Sequence, residues 1–183
     1  MDIITATVRD RNGRVISRER HKVKSFVRAY NHLLNVLAYA YGSTKDIGGV
    51  LRLLGGGEPL FQCDAPIGET DYGIRIGTDG TGVNIEDYAM LAAIAEGVGA
   101  GQMSHQAMVY TDLGVVGNVC SFEAERVIVN NSGGAIAVAE VGIYCRALSA
   151  TIYKYFMIAR DIVSQSVPDG GAITVTYTIR VVA

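Results

Sequence analysis

Tryptophan is absent from this 183-residue chain, and proline and cysteine each occur only three times. The three cysteines, Cys63, Cys120 and Cys145, are odd in number and have no metal-ligand spacing, which argues against a disulfide scaffold and a zinc site. Cys120 and Cys145 do fall in predicted strands that could be neighbours, so a bridge between those two stays open. No apolar run approaches the roughly 20 residues of a membrane span, so no membrane-spanning segment is expected. The first residues, Met1 to Thr5, lack the basic and then apolar layout of a signal peptide, so synthesis and folding in a cytoplasm are expected.

Glycine, by contrast, is plentiful at 22 residues. With so little proline beside it, the excess marks tight turns, not a low-complexity linker. Apolar residues make up 49% of the chain, ample for a core and too many for a disordered polymer. The length fits a single domain over residues 1–183.

The formal net charge of -2 hides an asymmetry. Residues 1–28 contain eight basic side chains, Arg9, Arg11, Arg14, Arg18, Arg20, Lys22, Lys24 and Arg28, against the three acidic ones Asp2, Asp10 and Glu19. The remainder holds eight basic and fifteen acidic residues. Many of these cations simply cover the wet face of a hairpin. The asymmetry as a whole suits docking on the acidic part of a neighbouring subunit.

Residues 3–8 and 14–18 flank Asn12-Gly13 and predict a β-hairpin. Ser25 is placed to cap a helix over 26–41, whose Phe26, Tyr30, Leu33, Leu34, Leu37 and Tyr41 share one face, and Gly42 suits its C-terminal cap. Hairpin and helix together, residues 1–42, read as an appendage to a core over 72–183. Residues 50–54 and 72–76 predict short strands. Asn84, with Asp87 three residues on, predicts either a short helix to Ala95 or an extended surface arm. Beyond that the pattern is β throughout, with strands over 103–110, 119–129, 137–145, 152–163 and 173–182. In the last strand Ile173, Val175, Tyr177, Ile179 and Val181 alternate with Thr174, Thr176, Thr178 and Arg180, the mark of one dry and one wet face. The nearly continuous apolar run 152–163 predicts a central strand covered on both faces. The fold class that follows is mainly β: an antiparallel β-sandwich, jelly-roll-like or Ig-like, with an N-terminal β-hairpin and one amphipathic helix.

Chemistry-bearing patterns are few. The glycine-rich stretch 77–82 lacks the lysine of a P-loop and the spacing of a dinucleotide fingerprint, and reads as a turn. A calcium site would have to draw on Asp79 with Asp87 or Asp71, without EF-hand spacing. His21, His32 and His105 are scattered, and Gly-x-Ser-x-Gly is absent. Glu123 and Glu125 share a strand face with Phe122 and Ala124 opposite, which reads as wet-face decoration. Arg160 and Asp161 point to opposite faces, so each needs some other partner if buried. No enzymatic activity, cofactor or sequence-specific nucleic-acid binding is expected. The ten tyrosines leave room for a sugar-binding surface, including a host-surface glycan.

Two stretches, Ile74-Arg75-Ile76-Gly77-Thr78-Asp79-Gly80-Thr81 with Asp87 and Leu91, and Asn130-Asn131-Ser132-Gly133-Gly134 leading to Glu140-Val141-Gly142-Ile143-Tyr144, resemble segments of tailed-bacteriophage tail-fibre and accessory proteins. Phe156-Met157-Ile158-Ala159-Arg160-Asp161 and the threonine-rich final strand resemble the same group. The resemblance covers residues 72–182. It implies a non-enzymatic virion structural subunit whose partners are copies of itself and other virion proteins. The chain ends at Ala183 with no repetitive shaft, which points from a long fibre to a compact tail, neck or capsid-surface component. Strand addition along an exposed 173–182 edge, through Ile173, Val175, Tyr177 and Ile179, together with the basic N-terminal segment, is the expected assembly interface. A carbohydrate-binding module and a subunit of a non-viral extracellular filament are the alternatives.

Overall fold

In the computed structural model the described residues are 3–23, 26–39, 41–55, 62–149 and 151–182. They form a mainly β protein built from two antiparallel sheets packed face to face. The first sheet contains β1 (Ile3–Arg9), β2 (Val15–His21), β6 (Ser104–Tyr110), β7 (Gly114–Val116), β8 (Val119–Val129) and β11 (Ala172–Val182), in the order β2-β1-β11-β8-β6, with β7 also on β8. The second contains β5 (Gly73–Gly77), β9 (Ile136–Ser149) and β10 (Ile152–Val167), in the order β10-β9-β5. A hairpin of β3 (Tyr41–Lys45) and β4 (Leu51–Gly55) and one helix, α1 (Arg28–Tyr39), complete the described elements. No helix among the described residues is long and apolar enough to cross a membrane.

Alternation decides which side chains meet between the sheets. On β1, Ile4, Ala6 and Val8 point inward; on β11, Ile173, Val175 and Tyr177 do; on β8, Ala124 and Ile128 do. They form one buried cluster with Val141, Ile143, Cys145, Phe156, Ile158 and Val163 of the second sheet. That sheet is buried on its other face as well. There Tyr144 and Met157 pack with Val27, Ala29 and Met90 in a second cluster.

The hairpin is therefore no appendage. The first hairpin closes over a three-residue loop, with Gly13 N donating to Asp10 O at 3.0 Å and Asp10 N to Arg14 O at 2.9 Å. Gly13 takes the left-handed φ of 77° that such a loop needs. Beyond the turn, β1 pairs with β11 from Arg9↔Ala172 to Ile3↔Thr178, so the hairpin of β1 and β2 shares one sheet, and β1 one core, with the later strands.

The same register corrects the edge-strand expectation. β11 is hydrogen-bonded to β1 on one side and to β8 on the other, so Ile173, Val175 and Tyr177 are core residues and offer no edge for strand addition. Within the run 152–163 only residues 156–161 are buried on both faces, Ile152 and Tyr153 are exposed, and β10 stands at the end of its sheet and not at its centre. Its outer edge is closed piecemeal. Val27 N donates to Ile158 O at 3.3 Å, Ile47 N to Tyr155 O at 3.0 Å, and the Glu19 carboxylate accepts from Ser164 N at 2.8 Å.

The helix is shorter than its periodicity predicts. Tyr41 and Gly42 belong to β3, where Gly42 pairs with Leu54 instead of capping α1. Phe26 lies before the helix, bridged to Ala159 and stacked on Tyr30 at 3.9 Å. The Ser25 cap falls outside the described residues. No helix forms over 84–95. Asp87 reaches back to Asn84 N at 2.9 Å as a capping residue would, but the chain is then drawn onto the edge of β5, with Thr78 N on Ala92 O and Ile94 N on Ile76 O, both at 2.9 Å. The segment is thus an extended strap that buries Met90 and Ile94. Cys120 and Cys145 lie in different sheets, and none of Cys63, Cys120 and Cys145 forms a disulfide.

A chain lacking residues 1–24 is expected to lose its cooperative thermal transition in circular dichroism. Each buried Ile or Val supplies about 1.5–3 kcal/mol, and with the seven-residue β1–β11 ladder gone the loss rivals a whole domain's stability of about 5–15 kcal/mol. A transition at the full-length temperature would contradict this account.

Candidate assembly surface

Two buried arginines fix the layers on which the surface is displayed. Arg160 of β10 is fully buried, and its Nε donates to Glu140 Oε2 of β9 at 2.6 Å. Its Nη1 meets Asp87 of the strap at 3.0 Å, and Nη2 lies 3.9 Å from Asp79. The second Glu140 oxygen accepts from Ala92 N at 3.1 Å. Gly77 makes this convergence possible, since a Cβ there would run into Glu140 and stand 2.7 Å from Ala92 O. Burial works against the Arg160 charge, but the hydrogen bond and charge of Glu140, joined by Asp87, outweigh it and raise its pKa above the usual value. Asp79 is held below the ordinary 3.8 by hydrogen bonds from the Thr81 side chain and backbone, with a smaller contribution from Arg160. Asp79 and Asp87 thus converge on a guanidinium. Among the described residues no group of three or more His, Cys, Asp and Glu is arranged to hold a metal.

Arg126 of β8 points into the sandwich and is solvated by backbone carbonyls. Its Nε donates to Gln106 O at 2.6 Å, Nη1 to Ile74 O at 3.0 Å, and Nη2 to Glu69 O at 2.7 Å and Pro66 O at 3.1 Å. Burial lowers its pKa to about 10, which leaves it charged at neutral pH. The bulge in β6 between His105 and Met108 offers the Gln106 carbonyl. His105 beside it is fully buried, its Nδ1 2.9 Å from Glu96 and 3.1 Å from Met103 O. Two acceptors at Nδ1 place the proton there. Desolvation lowers the His105 pKa although Glu96 opposes it, so at neutral pH the imidazole is neutral and its N–H donates to the Glu96 carboxylate without forming an ion pair.

With its inner side chains so engaged, the first sheet turns a polar outer face to solvent. The register aligns Arg20, Thr5, Thr176 and Glu125 in one row across four strands. Arg18, Thr7 and Thr174 follow in the next row, and Thr178 and Glu123 stand in the row on the other side. The result is a trough with a floor of threonines, an arginine wall on β2 and a glutamate wall on β8, with Arg9 of β1 also lining one end of the floor. Thr176 Oγ1 donates to Glu125 at 2.9 Å and Thr178 Oγ1 to Glu123 at 3.2 Å, which fixes the carboxylates as acceptors. Among the described residues none of Arg18, Arg20, Glu123 and Glu125 makes an ion pair within the chain.

A second feature lies at the far end of the same sheet. Val115, Cys120 and Val181 are direct cross-strand partners on β7, β8 and β11, on the face that carries Tyr177 inward. Along that face cover runs out: Tyr177 is 0% exposed, Ile179 half-buried and Val181 71% exposed. Val115, at 70%, and Leu113, at 68%, extend the uncovered apolar surface, and Val116 reaches 82% on the opposite side of the ribbon.

The basic residues singled out from the sequence disperse. Arg9 donates to Gly13 O at 3.0 Å, Arg11 stands 3.9 Å from Asp169, and Arg28 pairs with Glu86 at 3.1 Å. Arg14 and Lys22 are exposed, Lys24 lies outside the described residues, and Arg18 and Arg20 form the trough wall. Of the four apolar residues expected at an edge, only Ile179 approaches the uncovered end. Sequence reading missed Arg126 although the signal was there: the alternation that puts Glu123 and Glu125 outside puts residue 126 inside. The stretches that suggested virion proteins do converge, through Gly77, Asp79, Asp87, Glu140 and Arg160, on the buried clamp.

Comparison of the chain with protein-family models, curated proteins and solved structures gave no match.

Arg160→Met is expected to destabilise the fold by about 3–5 kcal/mol, because it strands a buried carboxylate. Adding Glu140→Gln should recover part of that loss, and urea denaturation of the single and double variants measures the difference. A proton NMR titration should find the His105 midpoint below its ordinary 6.5. Because the unfolded chain then binds the proton more readily, the His105 contribution to stability is complete above pH 6.5 and declines as pH falls from there toward the folded midpoint.

Proposed function

We propose that this protein is a non-enzymatic structural subunit that works in many copies, of the kind that builds the tail, neck or capsid surface of tailed-phage virions. The observation that carries the reading is the apolar face that outruns its cover. Val115, Cys120 and Val181 continue the core-facing side of the sheet beyond the end of the sandwich, with Leu113 extending the exposed apolar surface. Contiguous apolar surface of this sort is what a subunit interface buries.

Rigidity supports the same reading. Arg160 and Arg126 tie β5, β8, β9, β10 and the strap through bonds of 2.6–3.1 Å, so the surface is presented by a stiff body. A preorganised surface loses little entropy when it docks. The resemblance of residues 72–182 to small virion proteins supplies the particle context.

Size-exclusion chromatography with light scattering across a dilution series tests the reading. Wild-type protein is expected to exceed the mass of one chain as concentration rises. Val115→Asp with Val181→Asp should keep the circular dichroism spectrum and shift the mass to a smaller species. A wild-type chain that stays monomeric at every concentration would overturn self-assembly.

A further inference from the structure

We infer that the threonine-floored trough on the outer face of the first sheet is a self-complementary docking surface whose occupant is a second copy of this chain, the two related by a two-fold axis running along the strands. The inference rests on the multi-copy reading above and adds a second interface, distinct from the apolar ribbon end.

Charge layout selects both the occupant and the axis. The walls stand on β2 and β8 with β1 and β11 between them, so three inter-strand steps of about 4.8 Å separate them by roughly 14 Å. Pairing of Arg20 with Glu125 of its own chain would require both side chains laid flat at full length across the floor, and among the described residues neither has an ion-pair partner. A copy turned about an axis parallel to the strands, above the line between β1 and β11, exchanges left for right and leaves height unchanged. Its glutamate wall then faces the arginine wall, and its arginines face Glu123 and Glu125. Arg20 and Glu125 lie in the same cross-strand row, so they meet at equal height on both sides of the axis. Arg18 sits one row below and Glu123 one row above, within the reach of long side chains. An axis across the strands would bring arginine over arginine, and the surface rejects it. An isologous contact of this kind pairs Arg20 with Glu125 twice with one surface, with Arg18 and Glu123 flanking each pair from opposite sides.

The floor suits the contact. Thr5, Thr174, Thr176 and Thr178, half-buried, and Thr7, buried, present short hydroxyl side chains that let two sheets approach, and two of them already orient the carboxylates.

The test uses the full chain carrying Val115→Asp and Val181→Asp, so that the ribbon end is disabled, and reads mass by light scattering. This background is expected to remain a dimer that weakens as salt rises, because exposed ion pairs are screened. R18E/R20E makes both walls acidic, and E123K/E125K makes both basic. Each alone should associate about a hundredfold more weakly through like-charge repulsion. An equimolar mixture of the two should regain the dimer as a mixed pair, which shows that both variants are folded. The neutral variant R18Q/R20Q should fall between background and charge reversal. The inference is overturned if the background is monomeric while wild type assembles, if either charge variant dimerises alone as the background does, or if the mixture stays at single-chain mass. A wild-type chain that never exceeds one copy sinks the multi-copy reading along with it.

Discussion

The ion pair between Arg160 and Glu140 holds the molecule's layers in order. A three-stranded sheet with both faces dry cannot exist alone in water, and the second sheet needs cover on the side away from the sandwich. The strap provides it, but an irregular segment of chain has little reason of its own to lie across a sheet. Glu140 gives it one, because the same carboxylate takes the guanidinium of β10 on one oxygen and the backbone amide of Ala92 on the other. A buried charge pair of this type contributes little net stability by comparison with apolar packing. It does favour this placement of the strap, since elsewhere Glu140 would lose the Ala92 amide and Arg160 would lose Asp87.

Edges are managed by the same logic. Residues 26–27, Ile47 and Glu19 close the open side of β10, and the strap closes that of β5. On the first sheet, β6 receives Met108 N on Ala65 O and Gly68 N on His105 O, both at 2.9 Å. The edge at β2 carries Arg18 and Arg20 and is protected by charge instead of cover. The two surfaces on which the proposed contacts would form, the threonine trough and the apolar ribbon, both sit on the first sheet, one presenting charge and the other apolar side chains.

Much of the β architecture was legible. β8 starts and stops where its alternation says, and β11 shows its dry and wet faces as Ile173, Val175 and Tyr177 against Thr174, Thr176 and Thr178. The wet-face placement of Glu123 and Glu125 followed from the same rule. Strand order was not legible. Nothing local in the final strand tells whether it stands at an edge or between neighbours, since period-2 patterning reports on faces and is silent about edges. The helix was overextended because Tyr41 continues its apolar spacing, and pairing with β4 took Tyr41 and Gly42 into a strand instead. Over 84–95 the Asn84–Asp87 pair did form its local bond, and the edge of β5 outbid helical propensity for the residues that follow.

The sequence by itself determined the N-terminal hairpin, most of the later strands and their dry and wet faces, because alternation and turn chemistry act on neighbours along the chain. Only the tertiary structure decided that the basic hairpin is part of the sheet, that Arg160 finds Glu140 and Asp87, and that arginines from near the N-terminus stand across threonines from glutamates more than a hundred residues away. Those outcomes depend on long-range strand pairing. Its choice among many compatible registers is made by the whole core at once, and no single segment holds that information.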